Sequence, residues 1–385
     1  MRIVLTGGGS GGHFYPLIAV AQEIRKISRE EKLLEPDLVY MAPEPYDADV
    51  LFEHDITFKQ ISSGKWRKYA SILNIIDSVK VAFGIVKATI AMFFVLPDVV
   101  FSKGGYASVP VLWAARFYRI PVIIHESDSL PGRANAWAAK FAKRIAISYG
   151  ETADIFEKLS KKEKSVGPRV ALTGNPVRHE LVTLAPAGAH EFLKLSKDIP
   201  TILVLGGSQG AQIINEILIE ALPDLITKYN VVHQTGQKHF TIARETANIV
   251  LQDNPNKDRY AAFPFLNVLA LRMSAGISDL IISRAGSGSI FEAAIWQKPA
   301  ILIPIPIGVS HDQHNNAFAY ARSGAAIVVE QANLTPHLLV SEIDRLMENT
   351  DERARMVEAA GRFAQPEAAR KIAREILDLA LEHEK

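Results

Sequence analysis

The chain contains no cysteine. Disulfides, thiolate metal sites and cysteine nucleophiles are therefore excluded, and the composition fits a reducing compartment. Net charge is just as scarce: 43 lysines and arginines face 42 aspartates and glutamates, a formal +1, so no global basic field draws the chain to nucleic acid. No long hydrophobic run exists either. The uncharged stretch Ala88 to Leu96 falls far short of the ~20 residues a membrane-spanning helix needs, and with the strand IVLT following Met1-Arg2 directly no cleavable leader is expected. The expected compartment is the cytoplasm. No Asp-x-Asp pair stands at a strand end, so no metal is expected. The second strand, LVYMAPEP, lacks the acid that holds a dinucleotide ribose: Glu44 comes two residues late, between two prolines.

What is present is a globular chain, 48% hydrophobic against 22% charged, and its 385 residues exceed one ordinary core. Two domains are expected. Arg2 to Thr6 reads as a buried strand, followed by the glycine run Gly7 to His13 and a helix starting near Pro16. The same plan returns in TILVLGGSQGAQIINEIL, after a weakly patterned stretch, 181–199, that reads as a linker. Between them, PDVVFS leads to the turn Lys103 to Tyr106 and a helix from about Val109, and PVIIHES leads to a polar loop from Glu126 to Asn135. Strand, glycine turn and helix in repetition indicate α/β domains with doubly wound parallel sheets, whose ligands gather at the carboxyl ends of the strands.

Two such ends carry candidate chemistry. Asp279 to Asn316 reads as a strand (Leu280 to Ile282), a turn with Gly286 and Gly288, a helix carrying Glu292, a second strand (Ala300 to Ile305) and a polar loop through Gln313. A Ser-Gly-Ser turn opening a helix offers free N–H groups and a positive dipole end to phosphate, and Glu292 is placed for a sugar diol. A tight loop with an ordinary helix-start acid explains the same residues. At the other rim, His13, Tyr106, His125, Glu126, Asp128 and Asn135 collect, as a general base and its supporting partner would. Each of them alone is equally explained by a hydrogen bond to loop backbone. Residues 61–96 place Lys65, Arg67 and Lys68 around Trp66 and Tyr69 before a long apolar segment. That segment is either a buried helix or one whose outer face lies on an anionic membrane.

In order, GGGSGGHFYP, GGYASVP, HESDSLPGRAN, TGNPVR, GGSQGA, HQTG, SRAGSGSIFE and HDQHNNA resemble the MurG family. Its members move N-acetylglucosamine (GlcNAc) from UDP-GlcNAc to lipid I, undecaprenyl-diphospho-N-acetylmuramoyl (MurNAc)-pentapeptide, making lipid II for peptidoglycan. The motifs span residues 1 to about 330. The resemblance implies the GT-B architecture: two Rossmann-like domains facing a central cleft. Residues 1–180 would bind acceptor and membrane, 200–360 would bind UDP-GlcNAc, and 361–385 would form a helix packing back on the first domain.

Carried over residue by residue, Ser10, Gly11, Gly12, Arg178 and Ser208 would contact the donor. Leu266 would read uracil through its backbone, Gly286, Ser287, Gly288 and Ser289 would wrap the diphosphate, Glu292 would bind the ribose and Gln313 the GlcNAc hydroxyls. Tyr106, Asp128 and Asn135 would line the acceptor. Asp128 stands where some members carry asparagine, and Asp312 where some carry glutamine. The expected reaction is an inverting displacement by the MurNAc C4 hydroxyl, with His13 as first candidate base and Glu126 as second, and with Arg284 and the glycine turns taking up the charge on UDP. No cofactor is expected. The expected partners are UDP-GlcNAc, lipid I and an anionic membrane surface, with other cell-wall enzymes possible, at the cytoplasmic face of the cell membrane. A transferase acting on diacylglycerol, a nicotinamide oxidoreductase and a non-catalytic nucleotide-sugar binder are the alternatives.

Overall fold

The computed structural model describes residues 1–64, 72–160, 170–207, 210–308 and 311–384. The basic and aromatic cluster Lys65, Trp66, Arg67, Lys68 and Tyr69, and the expected donor contact Ser208, lie outside them. The chain forms two compact units, Met1–Arg178 with Gln365–Lys385, and His179–Ala364.

The first unit holds seven strands: β1 (Arg2–Thr6), β2 (Asp37–Ala42), β3 (Ile56–Gln60), β4 (Val99–Ser102), β5 (Val122–Glu126), β6 (Arg144–Ile147) and β7 (Val170–Leu172). Their order is β3-β2-β1-β4-β5-β6-β7, and every pairing is parallel. The second unit holds β8 (Thr201–Leu205), β9 (Asn230–Gln234), β10 (Tyr260–Phe263), β11 (Ser278–Ser283), β12 (Ala300–Leu302) and β13 (Ala326–Val328). Here the order is β10-β9-β8-β11-β12-β13, again all parallel. Helices cover parallel sheets on both faces, which is why β4, β5, β8 and β9 are buried at every position. The order reverses between β1 and β4 and between β8 and β11, the crevices where doubly wound sheets receive ligands.

The helix Gly11–Glu30 buries Phe14, Leu17, Ile18, Ala21, Ile24 and Ile27, a three-and-four spacing that turns one stripe to the sheet. It begins five residues before the expected start, so Pro16 lies inside it, removing the one helical hydrogen bond its missing N–H would make to Gly12. The C-terminal helix Ala368–Glu384 packs along this first helix. It buries Ile372, Ile376, Leu377 and Leu379, each contributing roughly 1.5–3 kcal/mol. Arg370 pairs with Glu30 at 2.6 Å and Arg374 with Glu31 at 2.7 Å. Pairs this exposed set orientation more than stability.

Three further expectations change. The polar stretch HDQHNNA is not a loop but the first turns of a helix, His311–Arg322, because Asn316, Ala317 and Tyr320 fall on one buried face. The strand expected to reach Ile305 stops at Leu302, with Pro304 and Pro306 just beyond it. Residues 181–199, expected as a linker, carry the short helices His179–Val182 and Ala189–Leu193 and bury Leu181, Ala189 and Leu193.

Candidate active site

The first rim is built on the turns after β1, β4 and β5. Gly9 sits at φ 94°, and a Cβ there would come within 2.8 Å of the Tyr106 ring. The turn thus closes onto Tyr106 only as glycine. Ser10 precedes the helix but makes no side-chain cap; its Oγ lies 3.0 Å from Nδ1 of His13, one turn inside. If Nδ1–H donates to Ser10, Nε2 keeps its lone pair, the state a base requires. Tyr106 opens a single 3-10 turn, Tyr106–Ser108, and burial, then Glu44, raise its phenol pKa. The Arg178 guanidinium stacks 4.2 Å from the centre of the Tyr15 ring.

Glu126 ends β5 and is 4% exposed. Its Oε1 accepts from the Asp128 amide at 3.1 Å, and its Oε2 from the Gly132 amide at 2.8 Å and from Asn135 Nδ2 at 3.0 Å. Burial, then the neighbouring Asp128, push its pKa up to about 7. Both oxygens accept from loop donors, so the carboxylate gathers the loop 126–135. Asn135 also donates to the His125 carbonyl at 3.0 Å. Its amide fills the space beside Gly104, where a Cβ would come within 2.6 Å and φ is 76°. The structure therefore brings His13, Tyr106, Glu126, Asp128 and Asn135 to the strand ends of one unit, with Asp128 and Asn135 held through Glu126.

Sequence reasoning passed over Lys103, 1% exposed at the end of β4. Its Nζ contacts His125 Nδ1 at 2.6 Å, Ser127 Oγ at 2.5 Å and Asn175 Oδ1 at 3.0 Å. Burial brings its pKa down to about 7, opposed by Glu126 and then Asp128. His125 Nε2 faces the Gly174 carbonyl at 2.9 Å, and burial, then Lys103, hold His125 well below the ordinary histidine range. The imidazole is neutral, with Nε2–H donating and Nδ1 accepting from the lysine. The available signal was a lysine between a buried strand and two glycines, VVFSKGG.

The second rim lies at β8 and β11. The helix Ser287–Ile295 starts after Gly286 with no side-chain cap, and a Cβ added at Gly286, Gly288 or Gly207 would meet nothing within 4 Å. Open space thus borders uncapped N–H groups at the positive end of a helix dipole, which favours an anion. Glu292 is half-buried later on this helix, and Ser287 is buried at its start. Leu266 is buried, and its amide donates to Gln234 Oε1 at 3.0 Å. Gln313 is in the first turn of its helix, with Oε1 3.4 Å from the Ile305 amide. Arg284 Nη1 donates to the carbonyls of Ile303 at 3.1 Å and Pro304 at 3.4 Å, and burial lowers its pKa. That nitrogen ties the end of β12 to the turn after β11.

Residues 3–147 match the glycosyltransferase family 28 N-terminal domain, and residues 201–376 match the family 28 C-terminal domain. The chain belongs to glycosyltransferase family 28. Within the family, a protein of Bacillus thuringiensis (strain Al Hakam) is 36% identical over 91% of this chain and 92% of its own length. It is named UDP-N-acetylglucosamine--N-acetylmuramyl-(pentapeptide) pyrophosphoryl-undecaprenol N-acetylglucosamine transferase 3. A Treponema denticola protein with the same name, without the number, is 33% identical over 88% of this chain and 86% of its own. Among solved structures, Acinetobacter baumannii MurG superposes with a TM-score of 0.71 at 26% identity, covering 98% of this chain and 99% of that one. The Staphylococcus aureus MnaA–UDP structure, at 17% identity and a TM-score of 0.69 over 98% of this chain and 97% of that one, shares the fold. This family 28 chain is a UDP-GlcNAc-dependent N-acetylglucosaminyltransferase of the GT-B fold.

Proposed function

We propose that this enzyme moves GlcNAc from UDP-GlcNAc to the C4 hydroxyl of MurNAc in undecaprenyl-diphospho-MurNAc-pentapeptide, with inversion. The observation that carries the reading is that relatives bearing this activity in their names match nine-tenths of the chain. The two strand-end rims carry groups suited to that reaction. The acceptor oxygen attacks C1 of GlcNAc, the C1–O bond to UDP breaks, and His13 Nε2 takes the hydroxyl proton. UDP leaves as an anion toward the uncapped helix start at Gly286 to Ser289, and Glu292 takes the ribose hydroxyls. Tyr106 and the Glu126 loop, with Asp128 and Asn135, receive the acceptor. Ser10, Gly11, Gly12, Arg178, Leu266 and Gln313 complete the donor contacts.

The test is transfer of radiolabelled GlcNAc from UDP-GlcNAc to a lipid I analogue, with diacylglycerol as a parallel acceptor and EDTA present. Label is expected on the lipid I analogue and not on diacylglycerol. Label on diacylglycerol alone would overturn the acceptor assignment while keeping the donor.

The lipid-linked acceptor gives meaning to an exposed apolar face. No helix among the described residues is long and apolar enough to cross a membrane. The helix Ile72–Val95 nevertheless presents Val79, Phe83, Val86, Ile90, Phe93 and Phe94 to solvent, with Phe94 at 71% exposure. The adjoining helix Val109–Tyr118 adds Trp113 and Phe117, and Lys80, Lys87, Arg116 and Arg119 are exposed on the same two segments. An apolar face with cations around it lies on an anionic bilayer, here as a peripheral attachment at the cytoplasmic face. The double substitution Phe83→Ser and Phe94→Ser removes two rings worth roughly 1.5–3 kcal/mol each when buried. Sedimentation with phosphatidylglycerol-containing vesicles should show binding at least about tenfold weaker, with turnover on a short-chain soluble acceptor unchanged. Undiminished vesicle binding would refute the membrane assignment.

A further inference from the structure

We propose that Lys103 is the positioning residue of the acceptor rim: its buried side chain ties the carboxyl ends of β4, β5 and β7 together and so fixes the loops carrying Tyr106 and Glu126. The Nζ group meets three acceptors, His125 Nδ1, Ser127 Oγ and Asn175 Oδ1, matching the three N–H donors of an ammonium. None of the three is a carboxylate. An ammonium held by neutral partners in a core is costly, and an apolar side chain would fill the same space more cheaply. The cost is offset by placement.

Every partner leads to the rim. His125 is held from its far side by the Gly174 carbonyl, and its own carbonyl accepts from Asn135, the residue that closes the Glu126 loop. Ser127 follows Glu126 directly in that loop. Asn175 lies just beyond β7 in the TGNPVR segment that ends in Arg178. The Lys103 amide donates to the Thr6 carbonyl at 2.9 Å, which joins β1 to the same knot. Gly104 and Gly105 then lead into Tyr106, with Gly104 seated against the Asn135 amide. Loss of the lysine side chain releases the ends of β4, β5 and β7, while the backbone tie to β1 stays.

The inference deepens the proposed acceptor assignment and rests on it. Lys103→Met, Ser127→Ala and Asn175→Ala are compared with wild type for acceptor KM, kcat, UDP affinity by calorimetry, and thermal melting. Lys103→Met should raise acceptor KM at least tenfold, with UDP affinity within twofold and kcat changed less than KM; each alanine variant should raise acceptor KM two- to fivefold. A folded Lys103→Met with acceptor KM within twofold of wild type, or with UDP affinity falling in parallel, overturns the proposal. If Lys103→Met does not fold, the alanine variants decide, and unchanged acceptor KM in both overturns it. A wild type that uses diacylglycerol instead would overturn the acceptor assignment, and the same comparison would then be made with that acceptor.

Discussion

His13→Ala should lower turnover by about 10²–10⁴-fold, the range for loss of a positioned general base, while UDP binding stays within twofold of wild type. His13 stands in the first turn of the helix Gly11–Glu30, and its ring reaches the Gly105 side of the rim, with Nε2 3.7 Å from where a Cβ on Gly105 would sit. Its other nitrogen is engaged by Ser10. A side chain oriented at Nδ1 with Nε2 toward the loop that carries Tyr106 suits the proposed base. Removing it takes nothing from the helix start at Gly286, so the donor should bind unchanged. Single-turnover transfer under saturating donor and acceptor separates the chemical step from binding. Turnover within about threefold of wild type would move the base assignment elsewhere.

Glu126→Ala should lower kcat/KM for the acceptor by about 10²–10³-fold, and Glu126→Gln by only about tenfold. The carboxylate is the acceptor for two backbone amides and one side-chain amide. Each buried donor left without a partner costs roughly 1–3 kcal/mol, and alanine strands all three. Glutamine keeps one carbonyl oxygen and turns an NH₂ toward the remaining donors, so it supports the loop partly. If Glu126 were the base, glutamine would be as damaging as alanine. The ratio between the two variants therefore decides between the roles.

A pH dependence should accompany it. The folded carboxyl titrates near pH 7, raised by burial and then by Asp128, above its unfolded value. Its proton is bound more tightly in the folded state, so the stability it contributes is present at low pH and lost as pH rises toward 7. Wild type should lose melting temperature across that window relative to Glu126→Gln.

Much of the frame was legible. Each buried strand followed by glycines and a helix is local information, and the opening segments RIVLTGGGSGG and TILVLGGSQGA place β1 and β8 beside their sheets' switch points. What escaped was long-range. A lysine beside two glycines reads as a solvated turn residue, because its partners His125, Ser127 and Asn175 come together only when β4, β5 and β7 align. Arg284 and Glu126 are expected at substrate because charged groups at strand ends suggest ligands. The hydrogen bonds that Arg284 gives to carbonyls beyond β12 and Glu126 takes from loop amides are not visible in residue type. HDQHNNA looked like a loop from its polarity, while its helix is set by the buried face formed with the following AFAY.

The C-terminal helix bears on how the chain comes into being. The first unit starts with residue 1 but includes residues from Gln365 onward, so its hydrophobic core stays incomplete while the ribosome makes the whole of the second. Until then Ile24 and Ile27 belong to a cluster missing Ile372, Ile376 and Leu377. The part first begun is the last finished. A premature stop late in the gene would spare every strand of both sheets and still do its damage at the opposite end of the sequence, in the unit that carries His13.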